Sequence, residues 1–185
     1  SVDNNSALHL VGIISDGKVH SSLDHVLALI ELAKKEGVKK LFIHAFADGR
    51  DAPPKSVERY LKKVQDKLVG FDEASVATLQ GRFYLDRDRD WAKTEKAVDL
   101  IVGGEGKSYS DWQKAVNFAY NQNQTDEFMD QYLLDEKGLI SDNDAIIFTH
   151  YRTDRLFQIS KGLLDRKQKN QNVVTFIEVS ESIKT

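Results

Sequence analysis

Leu8 to Ile14 is a continuous apolar run that stops at Ser15-Asp16-Gly17, the pattern of a strand buried on both faces and followed by a loop. From Ser22 to Glu36 the period changes, with Leu23, Val26, Leu27, Ile30 and Leu32 to Ala33 at helical spacing and Gly37 as the stop. Lys40 to Phe46 predicts a second strand, and Pro53 to Val69 a second helix carrying Val57, Leu61, Val64 and Leu68 on one face. Ala74 to Gln80 predicts a third, weaker strand, then a charged loop and a helix from about Trp91 to Val102, closed by the turn Gly103 to Gly106. Ser110 to Gln122 predicts a helix with Ser110 as N-cap and Asp111 in its first turn, and the polar stretch Asn121 to Asp126 a loop. Asp142 to Ala145 leads into a strand over Ile146 to His150, a helix follows from about Arg155 to Leu164, and Val173 to Val179 is the last strand. Strands and helices alternating at these lengths imply right-handed crossovers and a mainly parallel sheet covered on both faces. The expected fold is a three-layer α/β/α sandwich.

A chain of 185 residues suits one domain with a hydrophobic core of its own. It has no cysteine, which excludes disulfides and cysteine-based metal or nucleophile chemistry. Apolar runs such as Ala145 to Phe148 and Val173 to Ile177 are too short to span a bilayer, and no signal-peptide pattern is present. A soluble, cytoplasmic protein with no membrane partner is expected. The net charge of −3, from 26 basic and 29 acidic residues mixed along the chain, argues against a nucleic-acid-binding face. The start, SVDNNSALHL, has no initiator Met and resembles a piece cut from a longer protein.

Candidate chemistry gathers in four segments, each after a predicted strand: SDGKVHS, DGRDAPP, GRFYLDRDRDW and HYRTDR. Sheets of this class bind ligands beyond the carboxyl ends of their strands, so the topology predicts that the four loops converge. Arg82 and Arg87, with Arg152 and Arg155, would then face one space. Guanidinium groups match carboxylate and phosphate oxygens in pairs, which points to a small multiply charged anion, a phosphorylated acid first. DGRDAPP sets Asp51 beside Arg50, and a carboxylate held ionised by a cation can take a proton from a substrate hydroxyl; a helix cap with an incidental ion pair is the plainer alternative. His20 lies in a loop and titrates near neutral pH, whereas His9, His25, His44 and His150 are expected to be structural. Arg82, Arg87 and Arg89 alternate with Asp86, Asp88 and Asp90, as in a solvated charge run. Arg152 and Arg155 stand at a predicted helix start, whose free N–H groups favour anions; a capped helix with Asp154 paired to both is the alternative. Neither a GxxxxGK[ST] nor a GxGxxG loop is present, and no histidine or carboxylate spacing forms a metal site. Trp91 and Trp112 are expected to serve packing.

The stretches LHLVGIISDGKVHSSLDHV, LFIHAFADGRDAPPKSV, GRFYLDRDRDWAKTEKAVD and HYRTDRLFQIS, in this order, closely resemble the phosphotransferase domain of cofactor-independent phosphoglycerate mutase. The resemblance implies interconversion of 3-phosphoglycerate and 2-phosphoglycerate in glycolysis and gluconeogenesis. It also implies a longer two-domain enzyme, of which residues 1–185 are the inserted domain. The other domain, like alkaline phosphatase and absent here, would be a partner in cis carrying two Mn2+ ions and the serine that becomes phosphorylated. No cofactor is expected in this chain, and the expected state is a monomer. Carried over by position, His20, Arg50, Asp51, Arg82, Arg87, Arg152, Thr153, Asp154 and Arg155 contact the substrate, with Asp51 as acid/base and Arg50 beside it as the other catalytic residue. Five positions depart from the family: Lys18 stands where glycine is usual, Ser22 where histidine is, and Thr149-His150 and Thr153 replace the Phe-Asn and Pro of its arginine motif. The loop between Arg82 and Arg87 is one residue shorter, which leaves Arg87 and Arg89 as alternatives for the inward-facing position. A different class of function, a stand-alone anion-binding or regulatory module without catalysis, uses the same loops. A metal-free phosphohydrolase with Asp51 as nucleophile lacks a paired carboxylate.

Overall fold

Two strands with no polar face form the centre of the sheet, β1 (Leu8–Ile13) and β2 (Lys40–Ala47), paired in parallel from Leu8 opposite Leu41 to Ile13 opposite Phe46. The computed structural model describes residues 6–166 and 169–179. Around this pair are β3 (Glu73–Gly81), the two-residue β4 (Lys107–Ser108) and β5 (Tyr132–Leu133), then β6 (Ala145–Phe148) and β7 (Asn172–Thr175). Their spatial order is β4-β5-β3-β2-β1-β6-β7. Pairing is parallel except between β3 and β5.

Among the described residues five α-helices cover the two faces: α1 (Leu23–Lys35), α2 (Val57–Leu68), α3 (Trp91–Val98), α4 (Trp112–Asn121) and α5 (Thr153–Asp165). Strand alternation sorts the core. Leu8, Leu10, Leu41 and Ile43 pack with α1, α2 and α4, while Val11, Ile13, Phe46 and Phe148 pack with α3 and α5. On α2 the buried set is Val57, Tyr60, Leu61, Val64 and Leu68, an apolar stripe at helical spacing whose exposed face is charged. Each such fully buried aliphatic side chain contributes about 1.5–3 kcal/mol. The three-layer α/β/α expectation therefore holds.

The elements differ from the sequence reading in places with local causes. α2 begins at Val57 rather than Pro53, because its first N–H groups are held by a carboxylate from a distant loop. Asp111, not Ser110, caps α4, accepting the Lys114 N–H at 2.8 Å. α3 passes at Asp99–Gly103 into a π-helical turn that ends on Gly104, with φ of 71°. Leu32 is 51% exposed, since it lies off the α1 stripe. β6 ends at Phe148 and β7 at Thr175, earlier than expected, and β4 and β5 were not legible, being too short to show a period.

Candidate functional site

β3, β2, β1 and β6 are neighbours and parallel, so their carboxyl ends bring all four charged loops to one edge. Asp48, the first residue past β2, organises the centre and is 3% exposed. Its carboxylate accepts the Ser15 hydroxyl at 2.5 Å, the Asp51 N–H at 3.0 Å and the Arg50 N–H at 3.3 Å, and it pairs with the Arg82 guanidinium. Burial alone would raise its pKa; these donors hold it below the usual carboxylate range. Gly49 turns the chain with φ of 66°, where a Cβ would meet the Glu127 backbone N at 2.5 Å. The turn aims Asp51 at Arg82, whose Nη1 donates to Asp51 Oδ2 at 2.6 Å. Arg82 is 2% exposed; burial opposes its charge, but the hydrogen bonds to Asp51 and Asp48 raise its pKa above the ordinary arginine value.

One expectation about DGRDAPP is thereby corrected and its plainer alternative set aside. The cation beside Asp51 is Arg82, whereas the half-exposed Arg50 side chain pairs with Glu127 at 3.6 Å. Nor is Asp51 a helix cap: Asp126, fully buried, accepts the Ser56 and Val57 N–H groups at the start of α2, each at 2.8 Å, and the Tyr120 hydroxyl at 2.6 Å.

From the β1 loop, Gly17 lies so close that a Cβ there would be 2.6 Å from the Asp51 carbonyl oxygen. Lys18 adopts φ of 54°, a left-handed conformation that glycine takes without strain. The loop delivers His20, 4% exposed, with Nδ1 3.3 Å from Asp154 Oδ1 and Nε2 3.8 Å from Asp51 Oδ2. Burial drives its pKa down to about 4; Asp154 opposes this and Arg82, Arg155 and Arg152 reinforce it, so the ring is neutral at pH 7.

Arg152 is the N-cap residue of α5 and Thr153, exposed, its first residue. Asp154 Oδ2 accepts from Arg87 at 3.3 Å and from Arg152 at 3.4 Å. Burial would raise the Asp154 pKa, but His20, Arg152, Arg87 and the Arg155 N–H hold it low. Arg87 thus reaches the cluster, while Arg89, with φ of 64°, is exposed and tied by its backbone to Gln158. The charge run is not uniformly solvated either: Asp86 is buried and accepts the Asp88 and Asp90 N–H groups.

Arg155 does not pair with Asp154 as a partner of equal standing. It is 5% exposed, its Nη1 donates to the Leu85 carbonyl at 2.6 Å, and among the described residues no carboxylate lies within ion-pair distance. Burial, then Arg82 and Arg87, push its pKa down to about 10, the mark of a buried cation short of counter-charge. Arg82 Nε, Arg155 Nε and His20 Nδ1 are buried without a hydrogen-bond partner among the described residues.

His150, expected to be structural, belongs with this group. It is fully buried, neither ring nitrogen has a partner, and burial, His20, Arg155 and Arg82 push its pKa down to about 3. Period 2 from Ile146 and Phe148 was the available signal. Asp48 was also missed, although it opens the DGRD motif. The assembly can bind an anion at Arg155, and it holds a carboxylate, Asp51, against Arg82 and near His20.

The family model described as BPG-independent PGAM N-terminus matches residues 1–183. The 2,3-bisphosphoglycerate-independent phosphoglycerate mutase of Moorella thermoacetica is 40% identical over 169 residues, 89% of this chain and 33% of that protein. The same-named protein of Clostridium tetani is 38% identical over 195 residues, 99% of this chain and 38% of that protein. Among solved structures, Leishmania mexicana phosphoglycerate mutase at low cobalt concentration superposes with a TM-score of 0.89 at 27% identity, over 96% of this chain and 36% of that one. This chain therefore spans about a third of the length of the curated relatives it matches.

Proposed function

The chain belongs to the BPG-independent PGAM N-terminus family, and on that premise we propose that it is the substrate-binding phosphotransferase domain of a mutase interconverting 3-phosphoglycerate and 2-phosphoglycerate. The observation that carries this reading is Arg155, a buried cation lacking a carboxylate, beside Arg82 Nε and His20 Nδ1, each without a hydrogen-bond partner among the described residues. A ligand with both phosphate and carboxylate supplies the missing counter-charge. Arg82, Arg87, Arg152 and Arg155 hold these two groups, with Arg50, His20, Thr153 and Asp154 at the margins. Asp51 takes the proton from the glycerate hydroxyl as that oxygen gains the phosphoryl group, and gives it to the oxygen that loses one.

Among the described residues no three His, Asp or Glu side chains converge to hold a metal. We assign the two Mn2+ ions and the phosphorylated serine to the rest of a longer chain, a phosphatase-like domain acting in cis. Its closure over this site would exclude water and limit hydrolysis. The test is calorimetric titration of the isolated chain with 3-phosphoglycerate, followed by assay for 2-phosphoglycerate. Saturable binding without conversion is expected; conversion by the chain alone would contradict the division of labour, and binding unaffected by Arg155→Ala would contradict the anion site.

A further inference from the structure

Far from the charged loops, four side chains form an unbroken hydrogen-bonded array across neighbouring strands. Thr78 on β3 contacts His44 Nδ1 at 3.0 Å, His44 Nε2 contacts His9 Nδ1 at 3.0 Å, and His9 Nε2 contacts Asp144 Oδ2 at 3.1 Å. Thr78, His44 and His9 are fully buried and Asp144 is 6% exposed. His9 stacks on His44 and on Phe42, with ring centroids 5.2 Å and 5.7 Å apart.

Proton positions follow from the Asp144 end. Its Oδ1 accepts the Ala7 N–H at 2.8 Å, and its Oδ2 accepts the Ser141 N–H at 2.8 Å as well as His9. Both oxygens are acceptors, so His9 carries its proton on Nε2. Neutral His9 then has a bare Nδ1 and accepts from His44 Nε2–H, and the bare His44 Nδ1 accepts from the Thr78 hydroxyl. One assignment satisfies every contact with both rings neutral.

We propose that Thr78, His44, His9 and Asp144 are a single proton-binding unit, which takes up one proton by reversing two hydrogen bonds and keeps all three contacts in both forms. In the protonated form His44 gains a proton at Nδ1 and passes its Nε2 proton to His9 Nδ1. His9 becomes an imidazolium paired with the Asp144 carboxylate, His44 stays neutral as the other tautomer, and Thr78 changes from donor to acceptor. A second proton has no place, because two imidazolium rings would set N–H against N–H at 3.0 Å. Burial, reinforced by His9, holds His44 well below the ordinary histidine range, in keeping with a charge that resides on His9. The other charged groups facing the array lie outside Asp144: Lys40, Glu73, Lys137 and Asp142 line an open polar cavity of about 1050 Å3 there. Nothing in this unit depends on the anion site.

The test is two-bond proton–nitrogen NMR of the 15N-labelled chain, titrated downward from pH 8.5. At the start His9 and His44 are both expected as the Nε2–H tautomer. On acidification their ring nitrogens should change in one shared step, His44 moving to Nδ1–H as His9 acquires two N–H groups. Separate steps for the two rings, a His44 that begins as Nδ1–H, or no change in either before unfolding would each overturn the proposal. Thr78→Val removes the terminal hydroxyl and should cost His44 its single starting tautomer, and Thr78→Ser should restore it. An unchanged His44 spectrum in Thr78→Val would also overturn it, while the wild-type titration decides the matter if that variant does not fold.

Discussion

Arg82 and Arg155 are both buried arginines in the same cluster, yet their surroundings assign them opposite consequences. Arg82 neutralises Asp48 and Asp51, so Arg82→Ala leaves a buried carboxylate unpaired and should cost about 3–5 kcal/mol of stability in urea unfolding. Arg155 lacks a carboxylate, so Arg155→Ala strands no buried charge and should cost less stability than Arg82→Ala, chiefly the lost hydrogen bond to Leu85, yet weaken 3-phosphoglycerate binding by about 1.5–3 kcal/mol, measured by titration. A large stability loss in Arg155→Ala would mean that its role is structural. The half-exposed Arg50 and Arg152 are screened by solvent, and their loss should matter less. The histidines set an acid limit. Burial lowers His20 to about 4 and His150 to about 3 from the ordinary 6.5, and lowers His44 in the same direction. Below pH 6.5 the unfolded chain binds protons that the folded protein does not, so their contribution is complete above pH 6.5 and is lost as pH falls toward 4. Asp48, Asp144 and Asp154, held below the ordinary 3.8, lose theirs only as pH falls through that value; Asp126, raised by burial, acts the other way. The urea midpoint should therefore drop between pH 7 and pH 5, and drop less in His150→Asn. Equal wild-type midpoints at the two pH values would refute this.

At the scale of elements, helix periods and continuous apolar strands were legible because they are local. The α2 stripe could be read from spacing, but its start could not, since the cap comes from Asp126, 70 residues after Ser56. Asp126→Ala removes acceptors for two backbone N–H groups and for Tyr120, and should destabilise the protein by about 2–3 kcal/mol in urea unfolding. A near-neutral effect would show that water replaces the cap. The same displacement explains the site. With α2 capped from elsewhere, Asp51 is available to Arg82, which sequence neighbours alone had assigned to Arg50. The β1 loop shows the converse. Lys18 holds a left-handed turn that glycine would take without strain, so the local path of the chain is imposed on the residue by the loop around it.

For the whole molecule, topology gathers what the sequence scatters, since four loops far apart in the chain meet because β3, β2, β1 and β6 are parallel neighbours. A ligand bound there ties the loops together and stabilises the folded state by mass action, about 2.7 kcal/mol at 100 times its Kd. Thermal unfolding should accordingly shift upward with 3-phosphoglycerate in the wild type, and much less in Arg155→Ala; equal shifts would exclude Arg155 from the site. The sequence by itself determined the layer order, the edge of the sheet where the charged loops meet and the residue types assembled there, because hydrophobic period and loop position are properties of short segments. Only the tertiary structure decided the partnerships: Arg82 with Asp48 and Asp51, Arg87 rather than Arg89 at Asp154, Arg155 without a carboxylate, and His150 among the site groups. Those depend on burial and on distances of a few ångströms between segments brought together by folding, which no local pattern encodes.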